Sequence, residues 1–334
     1  MATGEFDLIA RLVERLPPPG PRIRVGSGDD AAVIEAAGAA TVTTVDAIVE
    51  GVHFTLPEFP LEAVGRKALA TALSDLAAMG AEAGEAYVAL GTSEALGEAE
   101  LLRIADGLAE VALRDHVTVA GGDLVRSPRL FLSVTCVGYE RPGIPVVTRA
   151  GAEPGDVVAV TGELGGGAAA LRLLTGEDPA GLGTEARDRL LARQLDPRPR
   201  IAAGRALAAS GATAMIDISD GLGADAGHVA RAGAVHLSIE LQTAPLPEGI
   251  AAVAGGDRAA LELAASGGED HELLVTIPPE RLDAAVSAVA EIGSRLTEIG
   301  QVMEGSGVTI TDAQGRAVAA SGFDHMRGSR AGSG

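Results

Sequence analysis

Residues 25–34 read Val25-Gly26-Ser27-Gly28-Asp29-Asp30-Ala31-Ala32-Val33-Ile34, and the reading of this stretch decides the fold. A short apolar run, Ile23 to Val25, meets two glycines, then two adjacent carboxylates, then a second apolar run too short to form a helix. Gly26, Gly28 and Ala31 formally match the dinucleotide fingerprint, with Asp46 near the place of a ribose-binding acid. Two features oppose that reading. Asp29 and Asp30 would repel a pyrophosphate, and the span from Ala31 to Gly38 cannot hold the helix that a βαβ unit requires. The two carboxylates are therefore expected at a turn between strands. They fit either ordinary turn chemistry or a ligand site, since side by side they need solvent, cations or hydrogen-bond donors.

Working outward, the same feature recurs. Asp46 ends the run Thr41 to Val45, which includes Thr44, Asp75 lies in Ser74-Asp75-Leu76-Ala77-Ala78-Met79-Gly80, and Asp123 follows Gly121-Gly122. Asp217 and Asp220 frame Asp217-Ile218-Ser219-Asp220-Gly221, and Glu269-Asp270 follow Gly267-Gly268. Acids set repeatedly at strand ends beside glycine suggest hard oxygen ligands converging on Mg2+ and phosphate. Asp75 falls near the C-terminal end of a helical pattern, where the dipole disfavours a carboxylate and a nearby cation would offset the cost. A solvated acid on an exposed face accounts for it equally. Gly162 to Gly167 lead from a strand into a helix, which suits either a phosphate cradle or a tight turn.

Composition narrows the function classes. At 334 residues the chain is long enough for two domains, and 47% hydrophobic residues supply their cores. A net charge of −20 argues against a general nucleic-acid or anionic-membrane binder. Lys67 is the only lysine among 26 basic residues, and Ala68 follows it, so a Walker A loop is excluded. Cys136 is alone inside the apolar run Leu130 to Val137 and reads as a buried structural thiol. The acidic N-terminus lacks a signal-peptide core and no long uncharged apolar stretch occurs, so a soluble, cytoplasmic protein is expected.

Apolar periodicity predicts helices at about 6–16, 61–79, 98–114, 185–194, 199–209, 222–231, 259–265 and 279–292, with one more running through Leu174. Strands are expected near 23–25, 31–35, 40–45, 86–90, 117–120 and 130–138 in the first half, the fifth ending in Gly121-Gly122-Asp123. The second half should hold strands near 156–160, 214–218, 235–241, 273–277, 296–302, 307–311 and 316–319. Pro142, Pro145 and Pro154 mark a linker, which predicts domains at 1–141 and 142–326 and a disordered tail at 327–334. The histidines are scattered without zinc-site spacing, and His53 stands out only for closing Glu50-Gly51-Val52-His53-Phe54 just after Asp46.

Taken in order along the chain, these motifs resemble those of the thiamine-monophosphate kinase family. They are Gly4-Glu5-Phe6, Gly28-Asp29-Asp30, Asp46 with Glu50 to Phe54, Ser74 to Gly80, Gly121-Gly122-Asp123, Thr148-Arg149, Asp217 to Gly221 and Gly267 to Asp270. The resemblance implies an α/β (α+β) fold like that of aminoimidazole ribonucleotide synthetase. Its N-terminal domain would dimerise through its sheets, and ATP would bind between that domain and a C-terminal α/β domain. It implies transfer of phosphate from ATP to thiamine monophosphate, giving ADP and thiamine diphosphate. By motif, Asp30, Thr44, Asp46, Asp75, Asp123, Asp217 and Asp220 would hold several Mg2+ ions. Gly121, Gly122, Arg149 and Ser219 would contact ATP, and His53, Glu269 and Phe323 the thiamine phosphate.

Two departures from the family pattern stand out. Val45 fills a place often held by Thr, so any ligand there must be its backbone carbonyl. Phe323 replaces a Tyr or Trp, keeping a ring without the polar handle. Other readings are another enzyme of the superfamily, such as selenophosphate synthetase or aminoimidazole ribonucleotide synthetase, and a non-catalytic nucleotide-binding scaffold. The first of these is expected to carry a reactive Cys or selenocysteine near its N-terminus, whereas the sole cysteine here is Cys136. A degenerate scaffold would be free to lose clustered carboxylates. For the kinase, direct in-line transfer without a protein base is expected, with a carboxylate nucleophile such as Asp30 or Asp220 formally open.

Overall fold

A computed structural model describes residues 11–18, 20–25, 33–34, 40–177 and 179–320. The chain divides into two compact units, one of Met1–Leu76, Ala81–Gly143 and Leu195–Ile201, the other of Ala77–Gly80, Ile144–Gln194 and Ala202–Gly334.

In the first unit, β1 (Ile23–Val25) and β2 (Val33–Ile34) form an antiparallel pair, and the expected turn between them lies outside the described residues. A four-stranded sheet follows, in the order β3 (Thr41–Val49), β6 (Phe131–Tyr139), β4 (Glu82–Thr92), β5 (Thr118–Arg126). β3 and β6 are antiparallel in unbroken register, from Thr41 opposite Tyr139 to Val49 opposite Phe131. β4 and β5 are parallel and so need a crossover, which is helix α2 (Glu98–Arg114). Ile48, Leu132 and Leu90 lie opposite one another on the buried side of the sheet. Val45, 64% exposed, stands on the other side.

Helix α1 (Leu61–Ala78) is buried on nearly every face, because Ala, Leu and Val surround it rather than forming one stripe. Its approach to α2 depends on glycine. A side chain at Gly65 would come within 2.1 Å of the Ile104 carbonyl, and one at Gly107 within 1.9 Å of the Glu62 carbonyl. The two backbones can touch only because both positions lack a Cβ, and the Arg103–Glu62 ion pair at 2.7 Å flanks the contact.

The second unit is built on six strands in the order β12 (Gly307–Thr311), β9 (His236–Glu240), β11 (Leu296–Met303), β7 (Val157–Thr161), β10 (Leu273–Ile277), β8 (Ala214–Asp217). Among its described residues, only β12 and β9 pair in parallel. β7 and β10 are buried at every residue, as their mostly apolar runs require, with Thr161 and Thr276 the buried polar exceptions. Val158, Val160, Ile216, Leu237, Leu274 and Ile299 form the main core with α6 (Leu222–Gly233) and Ala264 and Ala265 of α8 (Asp257–Ser266). A second cluster joins α3 (Gly166–Leu174), α4 (Thr184–Leu195), α7 (Ile250–Ala254) and α8 through Leu173, Leu190, Ile250, Val253 and Ala260. Helices α5 (Ile201–Ser210) and α9 (Pro279–Glu291) complete the unit.

The differences from the sequence reading have local causes. β5 runs through Gly121-Gly122-Asp123 instead of ending there, and β3 runs through Asp46 to Val49. Residues 316–319 contribute one bridge, Thr311 to Ala317, and no strand. Helix α7 is only five residues long, too short to show a period. Residues 11–15 are helical, while the expected start of that helix and the tail at 327–334 lie outside the described residues.

Candidate active site

The first part of the site grows from strand alternation. Thr44, Asp46 and Ile48 occupy successive positions on one face of β3, the face that is increasingly covered toward Ile48. Asp75, in the last turn of α1, comes to that face, and the Thr44 hydroxyl donates to its Oδ2. Asp75 is thus an engaged acid against a sheet, not a solvated one on a free face. Asp46 Oδ1 accepts the Ala47 amide at 2.7 Å. Beneath them, Cys136 lies opposite Thr44 in the neighbouring strand. Burial pushes its thiol up to about 12, and the charges of Asp75 and Asp46 add to that. Both carboxylates therefore bear on one spot, where the Cys136 sulfur stays protonated.

Asp123 is not brought there. It pairs with Ala89, which lies opposite Ser133 and then Ala47, so it faces the open side of the sheet whereas Asp46 faces α1. β5 and β3 are the two outer strands, about 14 Å apart at the usual strand spacing. Gly121 and Gly122 lie in the same outer strand, and a side chain at Gly122 would come within 2.3 Å of the Val88 carbonyl. His53 closes a turn after β3. Its backbone amide donates to Val49 O at 3.0 Å, and its Nδ1 accepts the Val49 amide at 3.0 Å. A neutral His53 therefore carries its proton on Nε2.

In the second unit, Asp217 ends β8 and is buried, on the side away from Ile216 and the main core. The following turn is organised by Asp225, in the first turn of α6. Its Oδ2 accepts the amides of Ser219, Asp220 and Gly221, each at 3.1 Å. Burial pushes Asp225 up to about 7, with the Asp220 charge adding to it and the three amides opposing. Arg149 is exposed beside Thr148, whose carbonyl accepts the Met215 amide of β8 at 3.2 Å.

Glu269 belongs to the same construction. Its amide donates to Ser219 O at 2.8 Å, and a side chain at Gly268 would sit 2.5 Å from that carbonyl, so glycine permits the two loops to touch. Glu269 and His271 both adopt left-handed backbone, with φ of 66° and 51°. Non-glycine residues rarely do so, and pairs of this kind mark places where the surroundings over-determine the chain. Between them, Asp270 is buried and accepts the amides of Gly165 at 2.7 Å and Gly167 at 2.9 Å. The glycine-rich N-terminus of α3 is thus filled by the protein's own carboxylate, and those two amides are not offered to a phosphate. Of the two readings of Gly162 to Gly167, the tight turn is the one that fits.

Asp29, Asp30 and Phe323 lie outside the described residues. Among the described residues, no group of three or more His, Cys, Asp or Glu side chains gathers as a metal cage. Thr44, Asp46 and Asp75 nevertheless fit Mg2+, since all three are hard oxygen donors and the thiol beneath them is held protonated. Sequence reasoning missed Asp225 and Gln194 as site-building residues, and read Asp270 among the acids expected as ligands, whereas it accepts the Gly165 and Gly167 amides. For Asp225 a signal existed, an acid four residues after Gly221 at a helix start; for Gln194 none did.

Residues 28–139 match AIR synthase related protein, N-terminal domain, and residues 153–313 match AIR synthase related protein, C-terminal domain. The two-unit chain, with hard-oxygen side chains on both units, therefore belongs to the AIR synthase related family of α/β proteins. It is 36% identical over 323 residues to the thiamine-monophosphate kinase of Mycobacterium tuberculosis strain H37Rv, covering 93% of this chain and 88% of the relative. The crystal structure of thiamine-monophosphate kinase from Stenotrophomonas maltophilia K279a superposes with a TM-score of 0.83 at 34% identity, covering 95% and 99% of the two chains. AaThiL complexed with AMPPCP and TMP gives a TM-score of 0.76 at 34% identity, covering 96% and 97%. Within the wider family, the chain belongs to the thiamine-monophosphate kinases. Among the described residues no helix is long and apolar enough to cross a membrane.

Proposed function

We propose that this chain transfers the γ-phosphoryl group of ATP to thiamine monophosphate, giving ADP and thiamine diphosphate. The observation that carries the reading is the Thr44–Asp75 contact beside Asp46, a hard-oxygen set in a member of this kinase family. The complex of AaThiL with AMPPCP and TMP supports the choice of both substrates. Thr44, Asp46 and Asp75 in one unit, and Asp217 and Asp220 in the other, with Asp30, would hold several Mg2+ ions. Bound there, Mg2+ supplies positive charge against the repulsion between the acceptor dianion and the ATP γ-phosphate.

The chain's own residues then bind and orient. The Ser219 amide already serves Asp225, so its hydroxyl is the group offered to ATP. Arg149 presents an exposed guanidinium to phosphate, and Gly121 and Gly122 admit the nucleotide close to backbone. His53 offers Nε2–H to the acceptor phosphate, because Nδ1 is occupied by the Val49 amide. Glu269 and the ring of Phe323 meet the cationic thiamine half. No side chain has to remove a proton. A phosphate monoester with a second pKa of about 6 is already mostly dianionic at neutral pH, so transfer is direct and in line.

We further infer a homodimer through the four-stranded sheet. Its open side carries Val45, 64% exposed, and Val125, 40% exposed, and β3 and β5 each leave an outer edge to be paired. Joining β3 of one copy to β5 of the other would pair both edges, with Val45 and Asp123 on the same, open side of the joined sheet. The test of the activity is incubation with MgATP and thiamine monophosphate. Thiamine diphosphate and ADP should form in equal amounts, and ADP without thiamine diphosphate overturns the reading.

A further inference from the structure

Gln194 is the penultimate residue of α4 and is 1% exposed. Its Nε2 donates to two oxygens, the Gly167 carbonyl at 3.0 Å and Glu269 Oε2 at 2.7 Å. Two oxygen acceptors on one side of the amide fix its orientation, since the flipped amide would set oxygen against oxygen. Its chain neighbour Arg193 reaches two other carboxylates, Glu163 at 2.6 Å and Glu272 at 3.0 Å. One turn of helix thus serves three carboxylates in two ways. A guanidinium pairs with Glu163 and Glu272, while the donor that α4 sends to Glu269 is an uncharged amide. Such a donor fixes a carboxylate without cancelling its charge. The backbone of Glu269 is fixed as well, at φ 66° and by its bond to Ser219 O.

We propose that Gln194 is a positioning residue for acceptor recognition: its amide holds the Glu269 carboxylate in the place from which it meets thiamine monophosphate. The inference rests on the assignment of Glu269 to the acceptor made under the proposed function.

Steady-state kinetics of the full chain test it, with Michaelis constants measured separately for thiamine monophosphate and MgATP. Gln194→Met keeps the volume and removes the donor, and Gln194→Glu keeps the length should the first variant fail to fold. Either should raise the constant for thiamine monophosphate roughly tenfold, the usual worth of a hydrogen bond to a charged group, and leave that for MgATP unchanged. Glu269→Ala should raise the same constant, and adding the Gln194 change to it should do nothing more, since the residue acts through Glu269. Equal effects on both substrates, or additive effects in the double variant, overturn the positioning role. If Glu269→Ala itself leaves the constant for thiamine monophosphate unchanged, the assignment of Glu269 is what fails.

Discussion

Thr44 of β3 donates its hydroxyl hydrogen to Asp75 of α1, and Asp46 stands two residues further along the same face of the strand. One bond joins sheet and helix at the place where two carboxylates act on one buried thiol. Asp46→Asn and Asp75→Asn are each expected to abolish turnover with the fold intact. Each removes one of two like charges, so the metal-free melting temperature should stay level or rise. Circular dichroism melts with a product assay check both parts, and wild-type activity in both variants contradicts the metal assignment.

Asp225 holds three consecutive amides of the turn that carries Ser219 and Asp220. Asp225→Ala leaves the buried Gly221 amide without its acceptor, which costs about 1–3 kcal/mol of stability, with less from the part-buried amides of Ser219 and Asp220. The turnover rate should fall at least tenfold and the Mg2+ concentration for half activity should rise. Asp225→Asn retains one acceptor oxygen and should recover part of both. Unchanged Mg2+ dependence in Asp225→Ala would show that the turn does not need this carboxylate.

Burial pushes Asp270 up to about 7, against the opposing effect of the Gly165 and Gly167 amides. The folded-state value is above that of the unfolded chain, so the protonated form is favoured by folding. Stability linked to this group is full below about pH 4 and is lost as pH rises through about 7. The melting temperature should therefore decline across that window, and Asp270→Asn, which cannot ionise, should flatten the decline. A wild-type profile without it contradicts the picture of Asp270 as a carboxylate sealed under the α3 turn.

Much of the fold was legible because burial writes itself into pattern. β7 and β10 are mostly apolar runs, and α1 follows from Leu61, Val64, Leu69, Leu73 and Leu76. Glycine was harder to read. At Gly121-Gly122 it suggested a strand end, yet β5 continues, and Gly122 marks the close approach of Val88 in the next strand. At Gly165 to Gly167 the sequence offered bare amides but gave no sign that Asp270, 105 residues on from Gly165, would fill them. The acids of the site were legible one by one. Their grouping was not, since faces follow from strand register: Asp46 and Asp123 look alike in sequence and lie on opposite sides of one sheet.

The open side of the four-stranded sheet gives a test of the dimer. Val45→Asp puts a charge on that side, where Val45 and Val125 are exposed, and should shift the chain from dimer to monomer in sedimentation equilibrium. A dimer undisturbed by Val45→Asp, or a monomeric wild type, contradicts association through this sheet.

The most direct test of the central claim follows a chiral, isotopically labelled γ-phosphorus from MgATP into product with thiamine monophosphate as acceptor. Direct in-line transfer predicts that the label ends on the terminal phosphate of thiamine diphosphate with inverted configuration. Retention of configuration, or label that reaches ADP and free phosphate but not thiamine diphosphate, would contradict it.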